Sequence, residues 1–275
     1  LEKLYIPGNN LVKGLSSIIY NLAFQPCIKV LDASNNKKCD LNETAVSLHK
    51  LIKMSQTLEN IIINNIPNLN GSLTYDFYNA LGDNNNLLYL DLSKNGDFND
   101  ITQLGKAIAF NALKNGSLEY LDISSSFSNS RMENYNTFKS FINSMQISEN
   151  EHNSWYGFQF NGNIAKDSPD YFKQVFHCNL KTLIIKNSSL RSSIDFLSPE
   201  SVNKDNCMKI LLNGCQTLDT IILDNSSFNN NFVKSLSEAI KSPNNLQYLS
   251  LSNCSIKGET FKNFLPCIEI FQFFI

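Results

Sequence analysis

The chain has 275 residues, with 23 Lys and Arg against 25 Asp and Glu and a formal net charge of −2. This near balance, at a pI of about 6.0, leaves no basic stripe for phosphate contacts and sets nucleic acid aside as a partner. No apolar run approaches the ~20 residues of a membrane-spanning helix, and no Gly/Ser- or Pro-rich linker interrupts the chain, so residues 1–275 read as one domain with a large core.

A pattern of apolar residues, L-x-x-L-x-L, recurs ten times, in most copies with Asn, Ser or Cys three residues later. In chain order the copies begin at Leu1, Ile28, Leu58, Leu87, Leu118, Trp155, Leu180, Leu218, Leu246 and Ile268. Most of the spacings lie within or close to the ~20–29 residues of leucine-rich repeats. The clearest copies are Leu87-Leu-Tyr-Leu-Asp-Leu and Leu246-Gln-Tyr-Leu-Ser-Leu. The copy at Trp155 keeps the spacing with aromatics and fills what is otherwise a 62-residue gap between Leu118 and Leu180. The copy at Ile268 is partial.

Each copy reads as a short strand whose fourth and sixth residues point into the core, as the period of two requires. The next strand lies too far along the chain for a hairpin, so a crossover must connect them and the strands run parallel. Helical spacing supplies the crossovers. Leu15, Ile18, Ile19 and Leu22 give one helix. Ala45, Leu48, Leu51 and Ile52 give a second, with Asn42 near its start. Ile101, Leu104, Ala107 and Ile108 give a third. Phe232, Val233, Leu236, Ala239 and Ile240 give a fourth over Asn231–Lys241, with Asn231 as its N-cap and Ser235 and Glu238 on the outer face.

The expected fold class is α/β, a leucine-rich repeat solenoid. It is a horseshoe with about ten parallel strands, one per copy, on the concave face and helices on the convex face. Solenoids need polar caps at each terminus. Leu1 begins at a first strand position and the chain stops in an apolar segment, so it reads as an internal piece of a longer protein.

The ninth positions are Asn9, Asn36, Ile66, Asn95, Ser126, Asn163, Ser188, Ser226 and Cys254. Where the chain turns out of a strand, backbone donors and acceptors lose their ladder partners. A buried Asn amide satisfies both kinds. Ser and Cys do so in part and Ile66 does not, which predicts an irregular turn after Leu58–Ile63. Asn is abundant, 40 residues in all. Ninth positions and turns account for some of it, and the rest reads as compositional bias. The N-x-S/T sequences at Asn70, Asn115, Asn187, Asn225 and Asn253 then follow by chance.

Seven Cys are present with no C-x-x-C and no His at metal spacing. They read as small buried apolar side chains, consistent with a reducing cytoplasmic setting. No cofactor or metal site is indicated. No P-loop, G-x-S-x-G or H-E-x-x-H occurs, and of the three His, His49, His152 and His177, none stands in a catalytic pattern. The chain reads as non-enzymatic.

The strand–helix repeat of about 28 residues resembles the ribonuclease-inhibitor-like class of leucine-rich repeats. The Asn-rich, irregular array is similar to the repeat domain of the capping protein–Arp2/3–myosin I linker family, which implies a regulator of actin assembly. It is also similar to the sensor repeats of nucleotide-binding immune receptors. At the level of the repeat alone it resembles the GTPase-activating proteins for Ran, which implies a loop Arg acting on a bound nucleotide. Here that could only be Arg131 or Arg191. These lie in the polar stretches Ser124–Asn136 and Ser188–Asn206, which read as enlarged loops.

A protein partner bound on the concave sheet is the leading expectation. Third positions run Lys3, Val30, Asn60, Tyr89, Tyr120, Gly157, Thr182, Thr220, Tyr248. Fifth positions run Tyr5, Asp32, Ile62, Asp91, Asp122, Gln159, Ile184, Ile222, Ser250. Adjacent strands stand about 4.8 Å apart, so Tyr89 should stack beside Tyr120, and Asp91 beside Asp122. With Tyr248 these are the candidate partner-binding residues, suited to a basic segment because acidic surface attracts one. Ile62, Ile184 and Ile222 on the same face call for contact with something or for cover by a loop.

Overall fold

A computed structural model describes residues 1–114, 116–127, 133–147, 175–190, 206–254, 256 and 262. Among the described residues eight strands build one parallel sheet: β1 (Lys3–Tyr5), β2 (Val30–Asp32), β3 (Asn60–Ile62), β4 (Tyr89–Asp91), β5 (Tyr120–Asp122), β8 (Thr182–Ile184), β10 (Thr220–Ile222) and β12 (Tyr248–Ser250). Their order in the sheet is their order in the chain. Each is the third to fifth residue of its repeat, and the register is constant, from Lys3 opposite Val30 to Thr220 opposite Tyr248. The repeat alignment therefore fixed the pairing residue by residue.

The core follows the period of two. Fourth-position Leu31, Ile61, Leu90, Leu121, Leu183 and Ile221 are buried, as are sixth-position Ala33, Ile63, Leu92, Ile123, Ile185 and Leu223. Leu249 and Leu251, expected in the same core, are only partly buried against it, because β12 has a described neighbour on one side only.

Helices close the core from behind: α1 (Gly14–Leu22), α2 (Leu41–Met54), the single turn α3 (Leu69–Ser72), α4 (Tyr75–Asp83), α5 (Ile101–Leu113), α6 (Glu133–Asn143), α7 (Cys207–Gly214) and α8 (Asn230–Lys241). They stack in series, α1 on α2, α2 on α4, α4 on α5, α5 on α6, α6 on α7 and α7 on α8. The described part is thus an α/β fold in which one parallel sheet and a layer of helices both advance repeat by repeat. The predicted helix starts shift slightly. The second helix is capped by Asp40, which accepts from the Glu43 N–H at 3.0 Å. The fourth is capped by Asn229 rather than Asn231, accepting from the Phe232 N–H at 3.1 Å. An N-cap serves the donor two or three residues on, and buried Phe232 must lie inside the first turn. Ser235 is buried rather than on the outer face, since α7 packs on that flank and Asn206 donates to the Ser235 carbonyl at 2.8 Å.

The interval from Leu118 to Leu180 differs from expectation. Trp155–Asn163 lies outside the described residues, as does the copy at Ile268. Yet β5 pairs directly with β8, Tyr120 opposite Thr182, so no strand from Trp155–Asn163 intervenes between them. The extra length instead carries α6, which starts inside the stretch expected as a loop, and a short antiparallel pair, β6 (Gln146–Ile147) with β7 (Val175–Phe176). A second small parallel pair, β9 (Ser189–Leu190) with β11 (Ser227–Phe228), follows the strands β8 and β10.

Every described repeat leaves its strand through a left-handed residue at position eight: Gly8, Asn35, Asn65, Lys94, Ser125, Asn187, Asn225 and Asn253, with φ between 52° and 70°. Asn tolerates that region better than other residues with a Cβ. Five of the eight are Asn, and Asn187, Asn225 and Asn253 are three of the N-x-S/T sequences. Five of the 40 Asn are thus placed by the backbone of the turn. The Leu58 repeat keeps the left-handed Asn65 despite Ile66. Its irregularity comes later, at a second left-handed residue, Asn68, followed by α3.

Candidate functional site

Third and fifth residues of each repeat point away from the helices onto the open face of the sheet. Near its centre Tyr89 of β4 and Tyr120 of β5 are directly opposite. Their rings lie parallel, centroids 3.9 Å apart at an interplanar angle of 13°. That is closer than the strand spacing, so the rings lean together. Both are half-buried. Burial raises both phenol pKa values, and the nearby carboxylates of Asp91 and Asp122 push in the same direction. The pair is therefore uncharged: two flat apolar faces, each with a hydroxyl.

Asp91 and Asp122 sit opposite each other one step further along the same strands, as the register requires. Their oxygens are already engaged. Asp91 Oδ1 accepts from the Ser93 N–H at 2.9 Å, and its Oδ2 from Asn64 Nδ2 at 2.6 Å. Asp122 Oδ1 accepts from the Ser124 N–H at 2.8 Å. Asp32 does the same for Ser34 at 3.0 Å. The common signal is Asp-x-Ser, present at Asp32, Asp91 and Asp122. The residue two beyond the carboxylate has lost its ladder partner, and the carboxylate replaces it. Asp91, a candidate contact residue on the open face, is consequently buried, at 7% exposure. Neither donor, the Asn64 amide nor the Ser93 N–H, carries a positive charge to offset the carboxylate.

Tyr248 is 54% exposed, but β8 and β10 separate it from Tyr120, a distance of about 14 Å at three strand spacings. The structure thus brings four of the five candidate residues together and leaves Tyr248 apart. Of the three isoleucines on the face, Ile184 is buried and Ile62 and Ile222 are half-buried. Flanking charges pair along the second positions, Lys181 with Glu119 at 2.8 Å and Lys29 with Glu2 at 3.9 Å. Arg131, Arg191 and His152 lie outside the described residues. His49 is partly exposed on α2, and the His177 N–H donates to the Met145 carbonyl at 3.0 Å. Among the described residues no group of three His, Cys, Asp or Glu could hold a metal ion, and no helix is long and apolar enough to cross a membrane. Cys39, Cys178, Cys207 and Cys215 are buried as expected, whereas Cys27 is exposed.

No protein-family model matches the chain, and no characterised protein matches it by sequence. Among solved structures, the tropomodulin C-terminal domain of Caenorhabditis elegans aligns at 15% identity with a TM-score of 0.37, covering 57% of this chain and 90% of that one. The fold assignment rests on the repeat register itself.

Proposed function

We propose that the chain is a non-catalytic, cytoplasmic protein-recognition scaffold. Its open sheet face, the concave side of the solenoid, binds a partner segment at Tyr89 and Tyr120. The observation that carries this reading is the stacked, half-exposed Tyr pair beside two carboxylates, Asp91 buried and Asp122 half-buried. Flat rings with few rotamers lose little entropy on binding and offer both apolar area and hydroxyls, which is why Tyr is enriched at binding hot spots. Because Asp91 and Asp122 are engaged with the turns, they act through their field rather than through direct ion pairs. The favoured partner segment places an apolar or aromatic side chain on the rings and carries Lys or Arg nearby.

The double substitution Tyr89→Ala, Tyr120→Ala tests it. The variant should keep the wild-type circular dichroism spectrum, since neither ring belongs to the core behind the sheet. Photo-crosslinking from position 60 or 182, which flank the pair, identifies the contacted partner with wild-type protein. Its affinity for the double variant should fall by at least tenfold, about 1.4 kcal/mol. Equal affinity for both proteins overturns the reading.

A further inference from the structure

We propose that Cys178 and Cys215 form a redox-active pair that closes a reversible disulfide between neighbouring repeats when a peroxide is the oxidant. The placement follows from contacts across neighbouring repeats. Thr182 lies opposite Thr220, and Cys178 and Cys215 stand four and five residues before them, Cys215 at the C-terminal cap of α7. The Cys215 Sγ lies 3.6 Å from the Cys178 carbonyl oxygen and 3.5 Å from that of Leu180. The two thiols act directly on one another. Both cysteines are free in this structure.

The environments of the two sulfurs are unequal. Cys215 is held below the ordinary thiol value, first by its contact with Cys178 and then, against burial, by Thr217. Cys178 is raised, first by burial. Cys215 is therefore the thiol that gives up its proton the more readily, and its neighbour Cys178 is placed to resolve the product. Other described cysteines lack this arrangement. Burial raises Cys207 to about 11, and no cysteine is among the groups acting on Cys39, Cys207 or Cys254.

The chemistry balances with hydrogen peroxide. The Cys215 thiolate attacks one peroxide oxygen, the O–O bond breaks, and the leaving hydroxide takes a proton as water. The resulting sulfenic acid is attacked by Cys178 after its proton passes to solvent. The S–O bond breaks, the S–S bond forms, and a second water leaves. Two thiols and one peroxide give a disulfide and two waters. Cys178 is 9% and Cys215 is 1% exposed, so only a small oxidant enters and the reaction is slow. The bond would tie together the repeats of β8 and β10, whose Thr182 and Thr220 lie on the open face.

The test uses the reduced, native chain. A bulky alkylating reagent first blocks exposed thiols such as Cys27. Hydrogen peroxide is then added without denaturant, and the protein is digested and mapped by mass. The expected result is one joined peptide pair, Cys178 with Cys215, lighter by two hydrogens and separated by dithiothreitol, together with a raised thermal midpoint. In Cys178→Ala, a dimedone-trapped sulfenic acid should appear at Cys215. The wild-type map needs no variant to fold. Absence of that joined pair, or its appearance only after unfolding, overturns the proposal.

Discussion

The side-chain amide of Asn95 donates to the backbone carbonyl of Ile63, one repeat earlier, at 2.6 Å. Its oxygen accepts from the Ile66 N–H at 2.8 Å. One buried side chain thus satisfies an acceptor and a donor that the turn leaves unpaired. The same link, ninth position to the sixth-position carbonyl of the preceding repeat, recurs from Asn36 to Ile6 at 2.9 Å, Ser226 to Ile185 at 3.4 Å and Cys254 to Leu223 at 3.2 Å. Where Ser126 stands in the ninth position, Asn70 supplies the amide instead, donating to the Leu92 carbonyl and to the Ser126 hydroxyl, both at 3.3 Å.

Asn95→Ala should therefore cost about 1–3 kcal/mol, because both backbone groups stay buried without a partner. Urea denaturation measures it. Asn95→Ser should recover part of the loss, since Ser226 makes the carbonyl link with a shorter side chain. An alanine variant as stable as the wild type would show that water replaces the amide.

Strand register was legible because burial of one face admits a single phase of a two-residue period. The turn that follows was only half legible. Position nine stood out by residue type, whereas position eight is defined by a backbone angle that Gly, Asn, Lys and Ser all adopt here. Reading Asn35, Asn65, Asn187, Asn225 and Asn253 as one column required the angle, so the Asn excess looked like composition. The array of aromatics at Trp155–Asn163 matched the repeat spacing by residue class alone. β5 pairs directly with β8, which leaves no place between them for the strand that this spacing predicted.

Asn225 has φ of 55°, and its Oδ1 accepts from Asn253 Nδ2 at 2.8 Å on the surface. Asn225→Ala should lose roughly 1–2 kcal/mol from the left-handed backbone. Asn225→Gly should stay close to wild type, because Gly adopts the angle freely. Equal losses for the two variants would assign the effect to the side-chain bond rather than to the backbone.

Leu92 is fully buried at a sixth position between sheet and helices. Leu92→Ala should destabilise by about 2–5 kcal/mol through lost transfer free energy and the cavity left behind. Its neighbour on the open face, Tyr89, should tolerate the same truncation far better. Comparing the two midpoints in one denaturant titration checks the inside–outside assignment of β4.

Part of the candidate site was also visible in the sequence. The Tyr89–Tyr120 stack and the Asp91–Asp122 adjacency follow from register alone. The engagement of the carboxylates did not follow, because it depends on which N–H the turn orphans. The Asp-x-Ser spacing was the available clue.

Asp122 supplies the last prediction. Burial is the largest influence on its carboxyl, and the charge of Asp91 adds to it. Against hydrogen bonds from Ser124 and attraction to Lys186, they hold its pKa above the ordinary 3.8. A raised folded pKa means that the folded protein favours the protonated form more than the unfolded chain does. The associated stability is fully present below 3.8 and is lost as pH rises through the folded value. At neutral pH the charged carboxylate therefore costs stability. Asp122→Asn keeps a carbonyl oxygen for the Ser124 N–H and has no charge to bury, so it should be more stable than wild type at about pH 7, with the gap closing toward pH 3. Denaturant titrations at several pH values read this directly. A variant less stable at neutral pH would mean that the charge-assisted bond to Ser124 outweighs burial. If the carboxylate instead serves to attract a basic partner, the same variant should bind that partner more weakly at low salt, with the difference fading as salt is raised.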